Sequence, residues 1–338
     1  MAERRRWRTW TTRLRVRTLG AVIDEREAAE SVRHVCDPSR LSVVQRSDDH
    51  IVFDAGTAIV KCGTRDAFGI EAWACEQARS LGVPAPEVIS LDTTLPIPHL
   101  ALTRTEGVAL CDSRLDPEAA ARGAYQAGEM LHRLHEQRLP GFGWIDREHF
   151  ADTGEIRGKS TTWIAEIHCE LDPAVDELVA IGALTRAQAH LLDAEMQELL
   201  PAIGALRGGQ LLHGDLARMH VFVEPEHGNL TGVIDWGDLQ VGDPAWDLAI
   251  AKCHFASPSE GILRVHHSRY ANLFPYLVDG YRAEPIVTER MTVLGDFYLA
   301  YRQAWVARLG PGEGGVPNPS LTMLLQRLTS STATPTQD

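Results

Sequence analysis

Between Gln210 and Asp247 the chain reads QLLHGDLARMHVFVEPEHGNLTGVIDWGDLQVGDPAWD, and no other stretch limits the possible folds so sharply. Leu211-Leu212 leads into His213-Gly214-Asp215, His220 follows five residues after Asp215, and the β-prone run Val221-Phe222-Val223 comes next. A second short strand signal, Thr231-Gly232-Val233-Ile234, ends at Asp235. Phosphoryl transfer from a nucleotide asks little covalent chemistry of a protein. It needs a carboxylate to take the hydroxyl proton and two or more ligands to hold Mg²⁺ against the phosphates. Asp215, His220 and Asp235 can supply that set.

A nucleotide site needs partners upstream. Strand signals at Leu41 to Gln45, His50 to Phe53 and Thr57 to Lys61 are separated by Ser47-Asp48-Asp49 and Asp54-Ala55-Gly56, so an antiparallel meander is expected. The third strand ends in Lys61. A strand-end lysine is commonly just solvated, but here a helical run from Glu71 follows and stops at Gly82 before Val83-Pro84-Ala85-Pro86. A helix carrying a glutamate shortly after the strand lysine is the arrangement that holds a lysine on the α- and β-phosphates. Glu71 and Glu76 are both candidates for that pairing. Strands at Glu87 to Leu91 and His99 to Thr103 then run into Arg104-Thr105-Glu106-Gly107, a connector against which an adenine would lie, with Thr103 and Thr105 as contact residues.

Beyond Gly107 the periodicity turns helical. Pro117 to Gln137 forms one stripe, on which His135 is expected in a core or hydrogen-bonding role rather than as a metal ligand. Pro140 to Trp144 reads as a loop. Helices are expected near Thr161 to Glu170, Asp172 to Ile181, Thr185 to Leu200, Pro244 to His254, His267 to Arg282 and Val287 to Leu309. The acidic segment Glu166 to Glu177 suits a solvated surface or a face turned to a polycation.

Composition removes several classes. The 338 residues are 44% hydrophobic and 23% charged, ordinary for a soluble globular protein, and no run approaches the ~18–20 apolar residues of a membrane-spanning helix. A net charge of -13 argues against nucleic acid as a partner. Six scattered cysteines without a CxxC pair fit a reducing cytoplasm and weigh against structural zinc. The first nineteen residues, MAERRRWRTWTTRLRVRTL, hold seven arginines and one acid, so the remainder is more acidic than the total indicates. Their composition resembles a transit peptide, an upstream extension gives the same picture, and no function is assigned to them. Gly158-Lys159-Ser160-Thr161 lacks the first glycine of a P-loop, since Thr153 stands there. HExxH, GxSxG and a dinucleotide GxGxxG are absent.

From about Leu41 to His254 the residues resemble the aminoglycoside phosphotransferases, small-molecule kinases with a protein-kinase-like fold. Lys61, Glu71, VPAPEV, the LxxLH helix, LPGFGW, HGDL, VIDWGD and GDPAWDLA carry the likeness in order. The resemblance implies an α+β, two-lobed architecture: a tail over 1–20, an antiparallel nucleotide-binding lobe over 21–106, a mainly helical catalytic lobe over 107–310, and a loop and frayed tail over 311–338. It further implies ATP- or GTP-dependent phosphorylation of a hydroxyl on a small molecule, with Asp215 as base and Asp235 as principal Mg²⁺ ligand. Lys61 would hold phosphate with Glu71 as its ion-pair partner, and His213 and Asp247 would support the catalytic loop. Two departures stand out. The family usually places asparagine at the second metal-ligand position, here His220, whereas macrolide phosphotransferases of the same superfamily look similar in carrying histidine there. The first hairpin lacks glycine, leaving Ser47 to meet phosphate by hydroxyl and backbone amide. Alternatives are a metabolic kinase for a sugar, amino alcohol or homoserine-like substrate, and a nucleotide-binding pseudokinase. Oligomeric state is left open.

Overall fold

The computed structural model describes residues 23–46, 50–63, 68–112, 114–256, 272–307 and 319–331. Ser47 and the Arg-rich N-terminal segment lie outside the described residues.

Helix α1 (Glu25–Ser31) starts at Asp24, whose carboxylate accepts the Glu27 amide. Strands β1 (Ser42–Arg46), β2 (His50–Asp54) and β3 (Ala58–Gly63) form the expected antiparallel meander. Helix α2 (Phe68–Ser80) and strands β4 (Val88–Asp92) and β5 (His99–Thr103) complete a sheet of order β1-β2-β3-β5-β4. Both faces of this sheet are covered. Ile51, Phe53, Val60, Cys62 and Ala101 pack with Ala28 of α1 and Val32 just after it, whereas Leu100 and Leu102 join Phe68 and Cys75 of α2 in a different core. Successive residues of a strand point to opposite faces. With Val60 and Cys62 turned to α1, Lys61 between them is turned towards α2.

The chain then gives β6 (Val108–Ala109), α3 (Pro117–His135), β7 (Arg138–Leu139), β8 (Phe142–Ile145), α4 (Arg147–Thr153), β9 (Gly158–Ser160), α5 (Trp163–Ala180) and α6 (Arg186–Gly204). Strands β10 (Gly209–Leu212), β11 (Val221–Val223), β12 (Leu230–Val233) and β13 (Gln240–Gly242) follow, and helices α7 (Pro244–Phe255), α8 (Phe274–Tyr281), α9 (Pro285–Ala307) and α10 (Pro319–Ser331) close the fold. The strands make two small sheets, β7-β10-β13-β8-β9 and β12-β11-β6. They frame the loop after β10 and the turn after β12. Among the described residues no helix is long and apolar enough to cross a membrane.

Three expectations are corrected. Pro140 to Trp144 contains strand β8 rather than being all loop, because Trp144 and Gly143 pair with Gln240 and Val241 of β13. Gly143 has φ +81°, and a Cβ there would sit 1.9 Å from the Glu166 carboxyl carbon, so this strand admits no other residue beside that carboxylate. The two helices expected on either side of Leu171 are one, α5, running through Pro173. Trp163, Ile167, Leu171, Ala174 and Leu178 form one continuous buried stripe across the proline, and that packing outweighs the single lost backbone hydrogen bond. Residues 319–331, placed in a loop and frayed tail, form α10, since Leu324 and Leu328 recur one turn apart and bury in the core that includes α9.

Leu324→Ala is expected to lower stability by about 2–5 kcal/mol, the usual loss for a buried leucine. An unfolding free energy from denaturant titration lowered by under ~0.5 kcal/mol, as at a surface position, would show that α10 is not part of the core.

Candidate active site

Lys61 of β3 reaches Glu71 in the first turn of α2, with Nζ 2.5 Å from Oε1, and lies 3.3 Å from Asp235 Oδ1. Glu71 is fully buried and Glu76 is exposed, so the structure selects Glu71 from the two candidates. Burying such a pair seldom stabilises a fold, because desolvation offsets the attraction. Its effect is positional: the ammonium is fixed between the sheet lobe and Asp235.

The loop after β10 is held from beneath by one carboxylate. Asp247, on the first turn of α7 and wholly buried, accepts the His213 amide at 2.7 Å and the Gly214 amide at 2.8 Å. It also accepts the His135 Nε2–H at 3.1 Å, while His135 Nδ1 lies 2.8 Å from the Tyr281 hydroxyl. Burial opposes the charge of Asp247, yet His135, His213 and the Gly214 amide together hold its pKa below the ordinary carboxylate value. Burial also keeps the His213 imidazole neutral by lowering its pKa. Its Nε2–H donates to the Ile234 carbonyl at 3.2 Å, and the Asp215 amide faces Nδ1 at 3.4 Å. Gly214 has φ +84°, and a Cβ would fall 1.9 Å from the Asp238 carbonyl oxygen, so the loop and the turn after β12 touch there.

That turn presents Asp235 from a left-handed backbone, φ 65° and ψ 56°. Such a conformation costs a non-glycine residue of order 1 kcal/mol or more and persists only where surroundings enforce it. Opposite it, His220 Nδ1–H donates to the Asp215 carbonyl at 2.7 Å, which leaves Nε2 as the acceptor nitrogen, 3.6 Å from Asp235 Oδ2. Asp215, His220 and Asp235 each offer a ligand atom, all within 4.8 Å of one another. One imidazole nitrogen with two carboxylates is a donor set that fits a divalent cation.

Thr103 and Thr105 lie apart from this cluster. The Thr103 hydroxyl accepts the Glu87 amide at 2.8 Å, and the Thr105 methyl occupies the space above Gly232, where a Cβ would approach it to 2.3 Å. The connector is therefore seated directly on β12.

Four side chains around the cluster were not singled out from sequence. Arg302 of α9 places Nη2 3.0 Å from Asp215 Oδ1 and 3.4 Å from Asp238 Oδ2. Its guanidinium carbon lies 5.1 Å from the ring centroid of Trp305, and Trp305 lies 5.7 Å from Trp144. A lone arginine on the aromatic face of a buried helix was the available signal in YRQAW. His254, at the end of α7, feels the charges of Asp215, His220, Arg302 and Arg218, and burial above all pushes its pKa down to about 4.

Residues 63–282, more than half of the chain, match the phosphotransferase enzyme family (APH), and the chain belongs to that family. Viomycin phosphotransferase of Streptomyces vinaceus is 30% identical over 160 residues, 45% of this chain, and the match spans 48% of that relative's length. The ternary complex of a thermostable mutant of aminoglycoside phosphotransferase APH(4)-Ia with AMP-PNP and hygromycin B has a TM-score of 0.63 at 17% identity, covering 90% of this chain and 99% of that one. The streptomycin–ATP complex of APH(2")-IIa has a TM-score of 0.61 at 16% identity, covering 92% and 97%. At these identities the likeness is one of fold: the two-lobed, mixed α+β architecture of the aminoglycoside kinases.

The depressed pKa of His254 predicts a pH dependence. Unfolded, the imidazole takes a proton near pH 6.5; folded, only near 4. The stabilisation is complete above pH 6.5 and is lost as pH falls towards 4, because the unfolded chain binds the extra proton in that window. His254→Gln is expected to flatten the loss of stability between pH 6.5 and 4 by up to about 1.4 kcal/mol per pH unit. Parallel slopes in variant and wild type would contradict the assignment.

Proposed function

We propose that this chain transfers the γ-phosphoryl group of a nucleoside triphosphate to a hydroxyl of a small molecule of antibiotic type, aminoglycoside or macrolide. The observation that carries the reading is the convergence of Asp215, His220 and Asp235 donor atoms within 4.8 Å, with Lys61 already on Asp235. In this reading Asp235 and His220 Nε2 hold Mg²⁺, which when bound neutralises charge on the phosphate oxygens. Lys61, kept in place by Glu71, meets the phosphates. Asp215 accepts the proton of the acceptor hydroxyl as its oxygen bonds to the γ-phosphorus and the bond to the β-phosphate oxygen breaks. The connector between 103 and 107 takes the base, with the nucleotide-binding lobe ending near residue 106. Supporting structures of the family contain AMP-PNP, ATP or GDP, so either ATP or GTP fits as donor. Six free thiols suit reaction in the cytoplasm.

A base positioned for proton transfer contributes roughly 10²–10⁴-fold to rate. Asp215→Ala is therefore expected to lose at least ~10²-fold in turnover with nucleotide affinity nearly unchanged, measured by coupled nucleotide turnover and calorimetry. Near wild-type turnover would overturn the role given to Asp215.

His220→Asn supplies the second test of the site. An amide retains one donor for the Asp215 carbonyl and one acceptor for the metal, so Mg²⁺-dependent activity is expected to persist or rise. Complete loss with intact folding would show that the imidazole has a role of its own.

A further inference from the structure

We infer that Arg302 is a positioning residue for the phosphotransfer step: its guanidinium holds Asp215 by Oδ1, so that Oδ2 is the oxygen that takes the proton. This rests on the phosphotransfer reading and adds a residue that acts through the base. Arg302 Nη2 lies 3.0 Å from Asp215 Oδ1 and 3.4 Å from Asp238 Oδ2. The first distance is within the usual range for N–H···O and the second beyond it, so the base is the stronger partner. The last torsion of an aspartate is soft, yet proton transfer needs an oxygen within hydrogen-bond reach of the hydroxyl. A cation fixed on Oδ1 removes that freedom. The proton then passes to Oδ2 as the acceptor oxygen bonds to the γ-phosphorus and the bond to the β-phosphate oxygen breaks.

The guanidinium is itself fixed along α9. Asp243 sets the register of that helix, accepting from Arg290 at 2.5 Å and from the Tyr298 hydroxyl at 2.6 Å, and the Trp163 Nε1–H donates to the same hydroxyl at 2.9 Å. Tyr298 and Arg302 are four residues apart and share a face. Trp305, three residues further on, lies with its ring centroid 5.1 Å from the guanidinium carbon and donates its own Nε1–H to Glu170 Oε2 at 3.0 Å. The Arg302 side chain is 14% exposed and that of Asp215 26%, so the arginine is largely packed while the base keeps surface for an acceptor. Asp238 ends the short turn Trp236–Asp238 that follows Asp235. One nitrogen of Arg302 thus joins the proposed base to the turn that presents the proposed metal ligand, and the rigid geometry of a guanidinium carries direction as well as charge.

The test follows phosphate release from Mg²⁺-ATP and Mg²⁺-GTP with water as acceptor, in wild type, Arg302→Ala, Arg302→Gln, Arg302→Lys, Asp215→Ala and the double variant Arg302→Gln/Asp215→Ala. Calorimetry gives the nucleotide affinity of each and so reports its folding. Arg302→Ala and Arg302→Gln are expected to lower kcat roughly 10- to 100-fold, the loss expected of a base displaced by up to about 1 Å, with nucleotide KM and Kd within about 3-fold of wild type. If Arg302→Ala does not bind nucleotide, Arg302→Gln, which keeps most of the side-chain stem, decides. Arg302→Lys retains the charge without the planar fork and is expected to recover part of the loss. In the Asp215→Ala background, removing Arg302 is expected to cost under about 2-fold more, because a residue acting through the base then has nothing to act on. Losses that multiply in the double variant overturn the inference, as does an unchanged or raised kcat in a nucleotide-binding Arg302→Gln, and both leave the phosphotransfer reading standing. Wild-type turnover in Asp215→Ala, or a wild type that binds no nucleotide or releases no phosphate, overturns the reading beneath.

Discussion

One buried carboxylate organises this site. Asp247 has no exposure, and its stability as an anion depends on three donors: two consecutive amides of the loop after β10 and the His135 ring. In a low-dielectric interior such bonds to an ion are strong and their loss is costly. The loop therefore cannot relax independently of α3, which supplies His135, or of α8, which supplies Tyr281. Four residues earlier Asp243 does the same for α9, bound by Arg290 at 2.5 Å and by the Tyr298 hydroxyl at 2.6 Å. The GDPAWD segment thus pins both the helix that carries Arg302 and the loop that carries Asp215.

The sheet lobe was legible because its signals are local. Alternation set the faces of β2 and β3, and turn residues set their ends, so the direction of Lys61 follows from its neighbours alone. The mainly helical part of the chain was less so where two signals competed. Two helices were expected to meet at Leu171, but an unbroken apolar stripe from Trp163 to Leu178 makes α5 one helix through Pro173. The glycines around Phe142 were read as loop, yet they permit a strand that only the distant β13 stabilises. Pairing across about a hundred residues leaves no local trace.

Within the site the same division holds. Asp215, His220 and Asp235 sit at fixed spacing about two short paired strands, and their ligand atoms meet once Asp247 holds the loop and the left-handed turn presents Asp235. Spacing leaves Glu76 as a rival to Glu71, the residue the resemblance favours, and burial with the Lys61 contact singles out Glu71. Arg302, Trp305 and Trp144 belong to segments whose sequence carries only aromatic helix or glycine-rich loop character, and their chemistry appears when α9 is laid across the loop. Asp238 lies inside the VIDWGD motif, and its contact with Arg302 comes from a helix about sixty residues further along the chain.

His220 is the departure on which the proposed chemistry turns, and its surroundings account for it. The position has two demands: a hydrogen bond to the Asp215 carbonyl, and an acceptor directed at Asp235 and any cation held there. An asparagine meets them with its NH₂ and its oxygen. A neutral imidazole meets them with Nδ1–H and Nε2, provided one tautomer is enforced. The Asp215 carbonyl enforces it, because an acceptor at 2.7 Å places the proton on Nδ1. The loop backbone that positions the proposed base thereby also prepares the nitrogen of the proposed metal ligand, and a change in the path of that loop would alter both together.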